Sequence, residues 1–120
     1  MQQPIYKILT TAQWQQARAD GVFAGSAVDL ADGYIHFSTA AQVRETAAKH
    51  FTGRTGLILL TVDPTCCPQA LLRWEPSRGG QLFPHLYEPL DTACVLRADP
   101  LPLVSGDNGP GCHRFPEDME

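Results

Sequence analysis

The sequence predicts an α+β fold: one domain with two helices in its N-terminal half and an antiparallel or mixed β-sheet. Three observations predict it. Strand-like and helix-like stretches alternate as far as residue 62, and the rest is rich in strand-like runs. One capping pattern, a threonine with glutamine three residues later, opens both helical stretches, at Thr10–Gln13 and again at Thr39–Gln42. The most apolar run, Gly56 to Val62 (GLILLTV), has the composition of a strand buried on both faces.

Taken in order, Ile5 to Leu9 reads as a short strand. Thr10 caps the first helix, with Leu9 and Trp14 spaced as a hydrophobic staple, and the helix runs to about Asp20 and stops at Gly21. Residues 22–32 read as loop with a short extended piece at Ala27 to Leu30, closed by an Asp32-Gly33 turn. Tyr34 to Ser38 alternates, with Ile35 and Phe37 on one face and Tyr34, His36 and Ser38 on the other. The second helix follows Thr39. Ala40, Val43, Ala47 and Phe51 keep helical spacing, Lys49 and His50 suit its carboxyl end, and Gly53 ends it. After the GLILLTV strand, Asp63-Pro64 breaks the run. Leu71 to Glu75 is a strand with Leu72 and Trp74 opposite Arg73 and Glu75. Leu82 to Tyr87 alternates too, but Pro84 lacks a donor and predicts an edge strand or extended loop. Thr92 to Ala98 is the last strand.

The 120 residues suffice for one core and are too few for two. The formal net charge is -4. From Ser105 onward four acids (Asp107, Glu117, Asp118, Glu120) face only Arg114; elsewhere nine acids face eight bases. The folded part, residues 1–104, is thus nearly neutral, which argues against a basic nucleic-acid binder. Residues 105–120 are expected as a flexible acidic tail. No run approaches the roughly 18 apolar residues of a membrane span, and MQQPIYKIL lacks the pattern of a secretory signal. A cytoplasmic protein is expected. The four cysteines form neither a disulfide framework nor a C-x-x-C knuckle, so reduced thiols are expected, and Cys66-Cys67 would close only a strained ring.

Two stretches carry chemistry. In DGYIHFSTAAQ, Asp32 to Gln42, His36 lies on an all-polar strand face that leads into a helix start, where unpaired N–H groups favour anions. A solvated or internally satisfied histidine is the plain alternative. Between Arg73 and Leu90 stand Arg73, Glu75, Ser77, Arg78, His85, Tyr87 and Glu88. Gly79-Gly80 permits close backbone approach, and Arg78 offers a fork for phosphate or carboxylate. His85, Tyr87 and Phe83 share a side and could frame a planar ring; as plain structure they are core aromatics beside a turn. Neither a metal-binding histidine pattern, a G-x-S-x-G elbow nor a phosphate-loop fingerprint occurs. No metal is expected.

The stretches GSAVDLADGYIHFST and WEPSRGGQLFPHLYEPL, with IYKIL before them, resemble the small bacterial family of unknown function DUF952. The resemblance covers Ile5 to Ala98. That family is similar in fold to the ADP-ribosyltransferases, whose split α+β architecture clamps NAD between two small sheets. The resemblance therefore implies NAD as the ligand. It puts His36 and Ser38 on the ribose of the adenosine half, Tyr87 or Tyr34 on the nicotinamide, and calls for an acid late in the sheet. Here the chain departs from the pattern: Thr92 to Ala98 holds no acid, and Glu75 and Glu88 come earlier. A relative of the fold moves a 2'-phosphate from RNA onto NAD with arginines and a histidine. Arg78 and His85 are the matching residue types, and RNA would be a partner only as such a substrate.

The expected site thus has His36, His85 and Glu75 as catalytic residues. Around a nucleotide stand His36, Ser38, Thr39, Arg78, Tyr34 and Tyr87. Two alternatives stand beside group transfer. One is a non-catalytic nucleotide-binding module that has lost the acid; the other is a small hydrolase using His36 and His85 as acid and base. A carboxylate from Glu75 or Glu88 within reach of a pocket that holds His36 favours the enzyme; a pocket lined by no carboxylate favours the binding module.

Overall fold

The apolar run at the middle of the chain organises the fold. In the computed structural model, which describes residues 3–104 and 112–116, it forms β4 (Leu57–Val62), the central strand of a three-stranded antiparallel sheet with β1 (Ile5–Thr10) and β8 (Val95–Pro100). Side chains alternate across β4, so each face gets its own core. Leu60 and Val62 join Ile5, Leu9, Ile35, Leu72 and Leu86 on one side. Leu57 and Leu59 join Tyr6, Ile8, Val43, Ala47 and Leu101 on the other.

Among the described residues three helices pack around the sheets. α1 (Thr11–Asp20) opens with the predicted reciprocal cap. Gln13 N–H donates to Thr10 Oγ1 at 3.1 Å, and the Gln13 side chain accepts from Thr10 N–H at 2.8 Å. Gly21 closes it in the left-handed conformation at φ 80°. α3 (Ala40–His50) lays Val43 and Ala47 on the second core, and its Gln42 side chain accepts from Thr39 N–H at 3.0 Å.

The expectation of two helices is corrected by a third, α2 (Ala27–Asp32), where a loop with an extended piece was predicted. Ser26 and Asp29 cap each other there, and Gly33 ends the helix in the left-handed region. The signal was present as Ser26-x-x-Asp29, but six residues are too few to show a helical period.

A second three-stranded antiparallel sheet has the order β3 (Ile35–His36), β6 (Leu82–Leu86), β5 (Leu72–Pro76). Here Pro84 corrects the edge-strand prediction, because β6 is the central strand. Phe37 N–H donates to Pro84 O at 2.9 Å, so the donorless proline nitrogen faces the same edge, beyond the two-residue pairing with β3. The ladder to β5 loses nothing.

The two sheets share the first core and are joined by one isolated main-chain bridge. Tyr6 N–H donates to Ser38 O at 2.7 Å and Ser38 N–H to Tyr6 O at 2.9 Å, an isolated antiparallel bridge. Beyond it a cleft opens between the sheets. A third pairing joins β2 (Val22–Phe23) to β7 (Leu90–Asp91). The predicted last strand begins later than expected, at Val95, because Thr92–Cys94 forms a 3-10 turn capped by Asp91.

Two further readings change. Cys66 and Cys94 form a disulfide with Cα atoms 5.5 Å apart, which corrects the expectation of reduced thiols; Cys67 is free and buried. Spacing of 28 residues could not reveal it, because the tertiary pairing of β4 with β8 brings the two together. Of the expected tail, residues 105–111 and 117–120 lie outside the described residues. Within it, β10 (Cys112–His113) pairs with β9 (Leu103–Val104), and Phe115 packs on the second core.

Candidate functional site

The site grows from one strand register. β3 and β6 pair His36 with His85, so both imidazoles leave the sheet on one face. Their ring centroids lie 5.5 Å apart, edge to face. β6 and β5 pair Arg73 with His85 and Glu75 with Phe83, which puts Glu75 on that same face. Tyr34, just before β3, stacks on His85 at 4.1 Å and leans on His36 at 4.6 Å and Tyr87 at 5.1 Å. The expected residues His36, His85, Glu75, Tyr34 and Tyr87 therefore form one cluster.

Each histidine is backed by a carboxylate. His85 is buried, and its Nδ1 lies 2.9 Å from Glu75 Oε1. The same oxygen accepts from Tyr87 O–H at 2.5 Å. These two hydrogen bonds, Tyr87 first and His85 second, hold the Glu75 carboxyl below its ordinary range. The reciprocal effect raises the Tyr87 phenol, and the Arg73 guanidinium lies over its ring at 5.0 Å.

His36 is held more tightly still. Nδ1 lies 2.6 Å from Asp29 Oδ1 and Nε2 lies 2.9 Å from Asp32 Oδ2. Carboxylates only accept, so both contacts are hydrogen bonds when the ring carries two N–H groups. Asp29 is 2% exposed and is the node of the site. It also accepts from Ser26 N–H at 2.9 Å and His36 N–H at 3.2 Å, and pairs with Lys7 Nζ at 3.0 Å. Burial pushes the Asp29 carboxyl up. The His36 hydrogen bond, the Lys7 charge and the Ser26 amide together outweigh burial and hold it well below the usual range. Burial lowers Lys7 by more than Asp29 raises it.

The cleft has a volume of about 680 Å³. His36, Ser38 and His85 line it together with Lys7, Asp29 and Asp32. Ser38 Oγ lies 3.1 Å from Thr46 Oγ1 on α3. Thr39 is not on the wall; it serves the start of α3. Glu75 stands behind the wall, one hydrogen bond from the cleft through His85, and Glu88 does not line it. Arg78 belongs to the 3-10 turn Arg78–Gly80, and its side chain lies outside the described ones. Among the described residues no cluster of three or more His, Cys, Asp or Glu is placed to hold a metal ion, and no helix is long and apolar enough to cross a membrane.

Sequence reasoning missed Lys7, Asp29 and Asp32. Asp29 and Asp32 fell in the misread α2, and Lys7 was read only as a strand residue. Their roles depend on β1 and α2 meeting at His36, and only the fold supplies that contact.

Among solved structures, the crystal structure of protein CC0527 from Caulobacter crescentus is similar, with a TM-score of 0.85 and 49% identity over 92% of this chain and 93% of that one. The solution NMR structure of CC0527 gives a TM-score of 0.76 and 50% identity over 90% of each chain. No curated protein matches at a significant level. A family model described as "Protein of unknown function (DUF952)" matches residues 8–98, three quarters of the sequence. The chain belongs to the DUF952 family.

Proposed function

We propose that the cleft is the active site of a group-transfer enzyme acting on a nucleotide of the NAD class. One observation carries this reading: the His36–His85 register pair, 5.5 Å apart on a cleft wall, with a carboxylate behind each ring. Two three-stranded sheets parting around a cleft, with His36 and Ser38 on its wall, support the resemblance to the ADP-ribosyltransferases.

The roles follow from the hydrogen bonds. Glu75 fixes His85 with its Nδ1–H donated backwards, which leaves Nε2 as the acceptor for the proton of an attacking hydroxyl or water. His36 is fixed by buried Asp29 at one nitrogen. At the other, Asp32 is a half-exposed partner that a ligand can share. A ribose with two adjacent hydroxyls suits that pair, donating to Asp32 and accepting from His36. Glu75, one hydrogen bond behind the wall that holds His36, favours catalysis over a pure binding module.

The test is a thermal-shift and calorimetry screen with NAD, ADP-ribose, nucleotides and 2'-phosphorylated oligonucleotides. A ligand at a hundred times its dissociation constant adds about 2.7 kcal/mol of apparent stability. His36→Ala abolishes that gain, whereas Glu75→Gln keeps the binding and loses turnover. Absence of any ligand-dependent shift refutes the nucleotide reading. The spacing of the two rings also favours a second reading, acid–base hydrolysis of a non-nucleotide ester or amide. A panel of such substrates turned over by wild type and not by His85→Ala, with no nucleotide bound, selects it.

A further inference from the structure

At one end of the cleft wall acids already meet the positive charge present. Lys7 faces Asp29, and Asp29, Asp32 and Glu75 stand beside the two histidine rings, so no positive charge there lacks an acid. The other end differs. Val43, Thr46 and His50 line the cleft from one face of α3, and Phe51 and Arg54 continue the wall beyond its last turn. The Arg54 guanidinium lies over the Phe51 ring, 5.2 Å from its centroid, and among the described residues no carboxylate pairs with it. His50 beside it adds ring nitrogens and likewise faces no carboxylate among the described residues.

We infer that this end is an anion subsite, built to take the phosphate of a phosphorylated ligand whose ribose lies at Ser38 and His36. The inference deepens the nucleotide reading above and rests on it for the ribose end. Three arguments carry it. The arginine is planar, permanently charged and backed by an aromatic face, so it presents its fork to a phosphate with little freedom to lose. Its charge is the one full positive charge on the described wall that no described acid offsets. The spacing fits as well. Thr46 touches Ser38, and His50 stands four residues further along α3, about 6 Å of rise. That is about the reach from a ribose hydroxyl to the 5'-phosphate of the same nucleotide. The carboxyl end of α3 opposes an anion with roughly half an elementary charge. A whole guanidinium charge outweighs it, and the Thr52 hydroxyl already donates to the exposed carbonyl of Ala48.

Calorimetry at neutral pH with adenosine, AMP and ADP-ribose, on wild type, Arg54→Gln and His36→Ala, tests this. AMP and ADP-ribose should bind wild type about tenfold more tightly than adenosine, the worth of one charge-assisted contact. Added salt should narrow that gap. Arg54→Gln should erase the gap and leave adenosine unchanged, whereas His36→Ala weakens all three. Equal binding of AMP and adenosine, or a gap that survives Arg54→Gln, overturns the subsite and leaves the nucleotide reading standing. Inorganic pyrophosphate, followed by backbone amide NMR, separates the opposite case. If no nucleotide binds, yet pyrophosphate moves the amides from His50 to Arg54 in wild type and not in Arg54→Gln, the subsite stands and the nucleotide reading falls. If pyrophosphate moves nothing either, both fall.

Discussion

At the scale of single residues, Asp29 ties the fold to the site. It caps α2, takes a β3 amide, and balances Lys7 and His36. Asp29→Ala would leave a buried lysine unpaired, and chemical denaturation should show a loss of about 3–5 kcal/mol. Its carboxyl titrates below the ordinary value of 3.8 in the folded chain. The stabilisation is therefore complete above that value and is withdrawn as pH falls through the folded one. Stability measured against pH should decline on the acid side in wild type and lose that share of the decline in Asp29→Asn. Gly25 guards the same carboxylate from behind. It sits at φ +119°, and a Cβ there would come within 3.0 Å of Asp29 Cβ. Gly25→Ala should destabilise the protein by at least about 1 kcal/mol, from backbone strain and crowding together. At the other carboxylate, Tyr87→Phe removes the first of the two hydrogen bonds that hold Glu75 low. An NMR titration of the Glu75 carboxyl carbon should then move towards the ordinary value of 4.5.

At the scale of elements, what the sequence made legible depended on how local the cause was. The α1 cap and its glycine stop are each made within a single turn of chain, and both were readable. So was β4, where five apolar residues in six require burial on both faces. Leu59→Ala and Leu60→Ala, neighbours in opposite cores, should each cost about 2–5 kcal/mol in denaturant unfolding. The alternation of Tyr34, His36 and Ser38 was readable as a polar face, of which His36 and Ser38 line the cleft and Tyr34 does not. What stayed hidden was set by partners distant in sequence. Pro84 is tolerated in a central strand only because β3 is two residues long. Lys7 meets Asp29 only because α2 packs beside β1. The Cys66–Cys94 bond waits on the β4–β8 register. Closing a loop of 28 residues, that disulfide should contribute roughly 3–4 kcal/mol on chain-entropy grounds. Comparing wild type with and without reductant, and with Cys66→Ser, measures it.

At the scale of the whole molecule, an α+β chain has divided its strands between two small sheets that share a core and part around a cleft. The shared cluster of Ile5, Leu9, Ile35, Leu72 and Leu86 holds the sheets face to face, while main-chain pairing between them is confined to Tyr6 and Ser38. Native-state hydrogen exchange should report that contrast. Amides of β4, paired on both sides, should exchange only through global unfolding, and those of Tyr6 and Ser38 through a smaller opening. A seam fastened at one stitch also sets how this protein is best compared with its relatives and with its own liganded forms. Each sheet can be superposed separately as a rigid plate, and the angle left between the plates is then a single number that reads the state of the cleft.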